Sequence, residues 1–144
     1  MTKIAITINQ PPEKVWGLFM NPDNLKHWLT GFISATHLTG KPGETGSSSS
    51  IKFIERGKEM EVIETVLQVK PQQQYTFRME HKSFENETDI RLISFGSRTE
   101  MIQTVQFFPK EFLMKLMLPL IKGAMKKRME NELIRFKNFV ETTS

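Results

Sequence analysis

The chain has 144 residues, a formal net charge of +4 and no cysteine. The length suits one domain with its own core, and the absence of cysteine excludes disulfide bonds, thiolate metal sites and a cysteine nucleophile. With 38% apolar and 25% charged residues, the composition is that of a globular protein. No apolar run approaches the roughly 18 to 20 residues that span a bilayer, and the first ten residues lack the apolar core of a secretory signal. We therefore expect a cytoplasmic protein without membrane insertion.

The N-terminal part of the chain predicts one strand followed by two short helices. Residues 4–8 alternate isoleucine with alanine or threonine, which predicts a strand with one buried face. Pro11-Pro12 ends this strand and opens a helix, because proline lacks the N–H that the first helical turn leaves unpaired. Asn21-Pro22-Asp23 ends that helix and begins a second one, which carries Trp28.

Six further strands are predicted before residue 110. The segment around Gln73 to Lys82 has the clearest alternation, with Tyr75, Phe77 and Met79 on one face. Short turns join consecutive segments, which favours an antiparallel meander. The predicted strands cover residues 31–39, 47 to the turn at 57–58, 58–69, 73–82, 87–95 and 98–108.

Residues 110–142 predict a long amphipathic helix. Pro119 should kink this helix or separate an opening turn from its main segment. The basic side chains of the helix are interrupted by Glu111, Glu130 and Glu132, and we interpret them as a solvated face rather than a nucleic-acid or membrane surface. An apolar stripe at spacings of three and four must dock on an apolar surface. The stripe consists of Leu118, Ile121, Met125, Met129, Leu133, Phe136 and Val140.

This order of elements, together with an N-terminal motif, resembles the START-like superfamily, also called SRPBCC or helix-grip. The motif residues are Pro11-Pro12-Glu13-Lys14-Val15-Trp16 and Asn21-Pro22-Asp23-Asn24-Leu25-Lys26-His27-Trp28, with weaker support from Leu133-Ile134-Arg135-Phe136-Lys137. The match is greatest to the bacterial polyketide cyclase/dehydrase and lipid-transport branch. The resemblance implies an α+β helix-grip fold over residues 1–144 as a single domain. In it, a curved antiparallel seven-stranded sheet wraps around the C-terminal helix, and a lipid, polyketide or similar ligand lies between them.

The sequence contains no recognisable catalytic set. Its histidines, His27, His37 and His81, lack the spacing of metal ligands, so no metal or cofactor is expected. His81 continues the face of Met79 and is either a ligand contact or a hydrogen-bonded histidine at a strand end. We expect Glu64 to face inward and to pair with Arg78 or Arg91 as a polar anchor.

We predict that the protein, as a monomer or homodimer, binds a small hydrophobic molecule in a cavity between the sheet and the C-terminal helix. One alternative is a cyclase/dehydratase-type enzyme that uses His81 or Glu64 with Tyr75 or Arg78. A titratable pair at hydrogen-bond distance would favour that alternative. Another is a protein-interaction module resembling heat-shock ATPase activators, which an exposed apolar patch would favour. The predicted ligand-binding residues are Trp28, Phe32, Phe53, Phe77, Met79, His81, Met101, Leu118, Ile121, Met125 and Met129.

Overall fold

A computed structural model describes all 144 residues of the chain. Seven strands form one antiparallel sheet in the order β1-β7-β6-β5-β4-β3-β2, which confirms the predicted meander and its α+β helix-grip architecture. The strands are β1 (Thr2–Ile8), β2 (Phe32–Thr39), β3 (Ser48–Glu55), β4 (Lys58–Lys70), β5 (Gln74–Glu80), β6 (Phe84–Phe95) and β7 (Arg98–Pro109). The helices are α1 (Pro12–Phe19), a 3₁₀ helix (Pro22–His27), α2 (Phe112–Leu116) and α3 (Leu118–Thr142).

The N-terminal strand pairs with the last strand rather than with its neighbour in sequence. In this register Ile4 lies opposite Gln103 and Ile6 opposite Met101. Ile4 and Ile8 are buried, because alternation on β1 directs these side chains toward the long helix. The alternating isoleucines therefore form part of the core, as the sequence predicts.

The apolar side chains of α3 are not buried to the same extent along the helix. Four side chains between its middle and its C-terminal end are buried, whereas Leu118, Ile121 and Met125 nearer its N-terminal end are only half-buried. The buried four are Met129, Leu133, Phe136 and Val140. Only the second half of the apolar stripe therefore lies in the closed core.

Polar contacts tie α3 to the segment after the 3₁₀ helix. The backbone N–H of Thr30 donates to Glu132 at 2.8 Å, and Arg135 donates to the carbonyl oxygen of Trp28 at 3.2 Å. Arg128 donates to the carbonyl oxygen of Thr30 at 3.2 Å. These contacts fix the position of Trp28 relative to α3.

The boundaries of β5, β6 and the long C-terminal helix differ from the predicted ones. The predicted strand 73–82 ends earlier, and β6 begins earlier than residue 87, because reciprocal backbone hydrogen bonds between His81 and Phe84 close a tight turn. The long helix is divided at Met117, and Pro119 lies in the first turn of α3, where it removes no helical hydrogen bond. The expected separate turn before Pro119 is thus confirmed as α2. No helix combines the length and the apolar content that a bilayer span requires.

Candidate functional site

An acidic side chain lies on the apolar inner face of the sheet. Glu64 lies between Val62 and Val66 on β4 at a spacing of two residues. Because side chains two residues apart on a strand point to the same face, all three face inward. The hydroxyl of Tyr75 on β5 donates a hydrogen bond to Glu64 Oε1 at 3.0 Å. Beyond Val66 the pairing of β4 with β5 shifts by one residue, so that Tyr75 lies opposite Val69. The two side chains form the one titratable pair that joins β4 and β5 on the inner face.

The surroundings of this pair favour neutral forms of both groups. Burial raises the pKa of the Glu64 carboxyl above its usual range, and the hydrogen bond from Tyr75 opposes this shift only in part. Burial, followed by the charge of Glu64 and the hydrogen bond to it, raises the pKa of Tyr75 far above that of a free phenol. A carboxyl and a phenol in this arrangement can hold a proton or accept one from a bound molecule.

The expected pairing of Glu64 with Arg78 or Arg91 is wrong. Arg78 donates to Glu80 at 2.8 Å and Arg91 donates to Asp89 at 2.9 Å. Arg78 lies on the outer face of the sheet, because it is opposite Thr65, whereas Glu64 is opposite Met79. Arg91 lies on the outer face as well, because it is opposite Gln74, the neighbour of the inward Tyr75. No basic side chain forms an ion pair with Glu64.

Aromatic rings surround the hydroxyl-bearing end of the site. Phe19 contacts Trp28 in a stacked arrangement at 5.7 Å between ring centroids and contacts Tyr75 edge-on at 5.8 Å. Phe136 of α3 meets Trp28 edge-on at 5.4 Å. The indole Nε1 of Trp28 is buried and has no hydrogen-bond partner. A buried N–H without an acceptor is costly, so this donor is available to an oxygen atom of a bound molecule.

The predicted ligand-binding residues divide into two groups. Six belong to the core or pack against it, and these are Phe77, Met101, Met129, Trp28, Met79 and Met125. The other five lie outside this cluster, and they are Phe32, Phe53, His81, Leu118 and Ile121. The structure therefore places about half of the predicted set in the core or against it.

Phe53 and His81 have other partners. The guanidinium of Arg128 lies over the Phe53 ring at 5.1 Å, so this end of β3 is covered by a cation–π contact. His81 stacks on Phe84 at 5.1 Å, and its Nδ1 accepts a hydrogen bond from the backbone N–H of Ser83 at 3.1 Å. His81 thus matches the second interpretation, a hydrogen-bonded histidine at a strand end. No group of three or more acidic or histidine side chains is arranged to hold a metal ion.

A surface hollow of about 430 Å³ lies at this same strand end, on the outside of the sheet. Charged side chains dominate it, so it does not suit an apolar molecule. Its walls are Glu61, Ile63, Glu80, His81, Lys82 and Lys110.

Glu64 and Tyr75 are absent from the predicted list of ligand-binding residues, although both were considered for the enzymatic alternative. In the sequence, the position of Glu64 midway between Val62 and Val66 on a predicted strand indicates that its side chain faces inward. That signal identifies the face, whereas the partner depends on how β4 and β5 pair in the sheet.

Glu64→Gln should raise the free energy of unfolding at about pH 8 and have little effect near pH 4. The raised pKa means that the folded protein keeps the Glu64 proton to higher pH than the unfolded chain does. The associated stability is therefore present at low pH and is lost as the pH rises through the folded-state pKa. Glutamine keeps the acceptor for Tyr75 but cannot ionise.

Urea unfolding of both proteins at the two pH values measures this effect, and Glu59→Gln, at an exposed position on the same strand, is the control. A Glu64→Gln variant that is less stable than the natural protein at the higher pH would contradict the prediction.

Comparisons with known proteins agree with the fold. Residues 2–141 match the family described as polyketide cyclase / dehydrase and lipid transport. The comparison with curated proteins finds no match.

Several solved structures share the fold at low sequence identity. A Thermus thermophilus protein, TTHA0849, is 19% identical with a TM-score of 0.79, covering 96% of this chain and 95% of its own. Ara h 8.0201 is 15% identical with a TM-score of 0.78, covering 99% and 97%. The Zhui aromatase/cyclase from Streptomyces sp. R1128 is 10% identical with a TM-score of 0.82, covering 97% and 92%. The chain belongs to the polyketide cyclase / dehydrase and lipid transport family.

Proposed function

We propose that the protein binds a small hydrophobic molecule between the inner face of the sheet and the first half of α3, with Glu64 and Tyr75 as the polar anchor. The observation that carries this proposal is the carboxyl–phenol pair among apolar side chains, with no basic partner. An apolar residue at position 64 would avoid the desolvation of a carboxyl group. A carboxyl at this position is better explained by a ligand than by packing.

The uneven closure of the sheet supports this location. Met79 lies opposite Glu64 in the register of β4 and β5, and Met79 and Met125 both pack against the core while staying half-buried. Methionine side chains adapt to irregular shapes, so walls of this kind accommodate apolar molecules of different outline. The closed core under the second half of α3 keeps the fold rigid beside them.

The polar atoms indicate a ligand with an oxygen function on an apolar body. Glu64 can donate or accept a hydrogen bond according to its protonation. The unpartnered N–H of Trp28 would be satisfied by a carbonyl or hydroxyl oxygen. One protein with the same fold is described as an aromatase/cyclase, which is in keeping with an oxygen-bearing apolar ligand.

Met125→Trp tests the proposed location. If the side chain borders ligand space, the indole should enter that space, so stability should hold or rise while affinity for the neutral probe Nile red falls. In a solid core the same change should overpack and cost about 1 to 3 kcal/mol. The control is Met117→Trp, at a more exposed position, which should leave probe affinity unchanged. Lower stability of Met125→Trp with unchanged probe binding would show that Met125 only packs the core.

A second candidate function is proton transfer of the cyclase/dehydratase type, because the titratable pair expected of such an enzyme is present at 3.0 Å. In this reaction the Glu64 carboxylate takes the proton from the carbon next to a ligand carbonyl. The electrons of the broken C–H bond then form the enolate. Burial raises the pKa of Glu64, so its ionised carboxylate is a stronger base than a carboxylate in water. Deuterium exchange into an apolar ketone, faster with the natural protein than with Glu64→Gln, would support it, whereas exchange at the buffer rate would leave binding as the function.

A further inference from the structure

A row of large apolar side chains is exposed where α2 meets α3. Positions 113, 116, 117 and 120 follow the spacing of one helix face, and position 112 adjoins it. Phe112 is 75% exposed and Leu120 is 72% exposed. An exposed row of this kind marks a docking surface more often than scattered apolar residues do. The row, called here the apolar ridge, consists of Phe112, Leu113, Leu116, Met117 and Leu120.

The same stretch of chain is strongly basic. Residues 112–129 contain four lysines and one arginine and no acidic residue, so they carry five positive charges against a net charge of +4 for the whole chain. Arg128 is paired with Glu55 at 3.3 Å and with Glu132 at 3.4 Å. The lysines form no ion pair. They are Lys115, Lys122, Lys126 and Lys127, all exposed.

We propose that the apolar ridge and these lysines dock the protein on the surface of an anionic membrane. Apolar side chains of an interfacial helix enter the boundary between headgroups and acyl chains, and lysines on its polar side contact anionic headgroups. A second copy of the chain fits less well, because a symmetric dimer through the ridge would bring two sets of lysines together. The ridge lies in the interface and does not span the bilayer.

From the sequence we expected the basic residues to form a solvated face. The exposed apolar ridge beside the lysines is the reason to propose membrane docking instead. Leu118 and Ile121 neighbour the ridge but are half-buried, so the exposed side of the α2–α3 junction points away from the sheet. The proposal is independent of ligand binding and can fail or succeed without it.

Sedimentation with vesicles tests the proposal on the full chain. The natural protein should bind vesicles of equal parts phosphatidylcholine and phosphatidylglycerol and leave vesicles of phosphatidylcholine alone unbound. Raising the salt from about 0.1 M to about 1 M shortens the Debye length from about 10 Å to about 3 Å and should weaken binding. The variant F112S/L116S/L120S, at exposed positions, should bind anionic vesicles about tenfold more weakly or worse.

The matched control is Phe95→Ser, which removes an aromatic side chain that is 58% exposed at the end of β6, beside the start of β7 and away from the ridge. It should bind as the natural protein does. If the triple variant does not fold, K115Q/K122Q should still weaken binding several-fold. The proposal is overturned if the natural protein does not bind anionic vesicles, binds neutral ones equally, or loses as much binding with Phe95→Ser. It is also overturned if light scattering shows a dimer that the ridge substitutions abolish.

Discussion

Phe136→Ala should lower the free energy of unfolding by about 3 to 5 kcal/mol. Phe136 is 0% exposed and contacts Phe19 and Trp28 edge-on at 5.7 and 5.4 Å, so alanine would leave a cavity where α3 meets the N-terminal helices. Equilibrium unfolding in urea at neutral pH measures the loss.

The matched control is Ile134→Ala on the same helix, where the side chain is 50% exposed. It should cost about 1 kcal/mol or less, because little apolar surface is removed from the core. Equal losses for the two variants would mean that α3 is not held by the buried side of its apolar stripe.

Gly31→Ala should destabilise the protein by more than the roughly 1 to 2 kcal/mol that a left-handed backbone costs an alanine. Gly31 has a φ of +67°, and an added Cβ would lie 2.2 Å from the carbonyl oxygen of Ile54. The carbonyl of Gly31 also accepts a hydrogen bond from the Ile54 N–H at 2.8 Å, so β3 cannot move away without losing that bond.

Gly57→Ala separates the two contributions, because Gly57 has a φ of +76° and nothing within 4 Å of an added Cβ. The free energy of unfolding in urea should be lower for Gly31→Ala than for Gly57→Ala, and the difference should reflect the contact of the added Cβ with Ile54. If Gly31→Ala is no worse than Gly57→Ala, β2 and β3 are free to separate at this point, and the position of Trp28 is less constrained than the structure indicates.

The fold was predictable because its determinants are local. Alternation defined the strands, turn residues separated them, and Pro119 marked the break between α2 and α3. The site was less predictable because it depends on register. The inward direction of Glu64 follows from its neighbours on β4, but its partner follows from the pairing of β4 with β5, whose register is not visible in the sequence.

Helical periodicity also has a limit in this chain. The spacing from Leu118 to Val140 identifies the face that turns toward the sheet, but it does not show how far along the helix that face is covered. Coverage depends on where β1 and the segment around Thr30 meet α3, and these are contacts between distant parts of the chain. The exposed ridge and the half-buried Met125 both result from this uneven coverage.

Methionine-methyl NMR tests the location of the ligand most directly. The nine methionines include Met79 on the sheet and Met125 on α3, which lie beside the proposed site, and Met1 and Met117, which lie outside it. With ¹³C-labelled methyl groups, titration with Nile red should shift the signals of Met79 and Met125 together and leave Met1 and Met117 unchanged. Shifts confined to Met117 would place the probe on the apolar ridge. That result, or unchanged Met79 and Met125 signals at saturating probe, would contradict binding between the sheet and the helix.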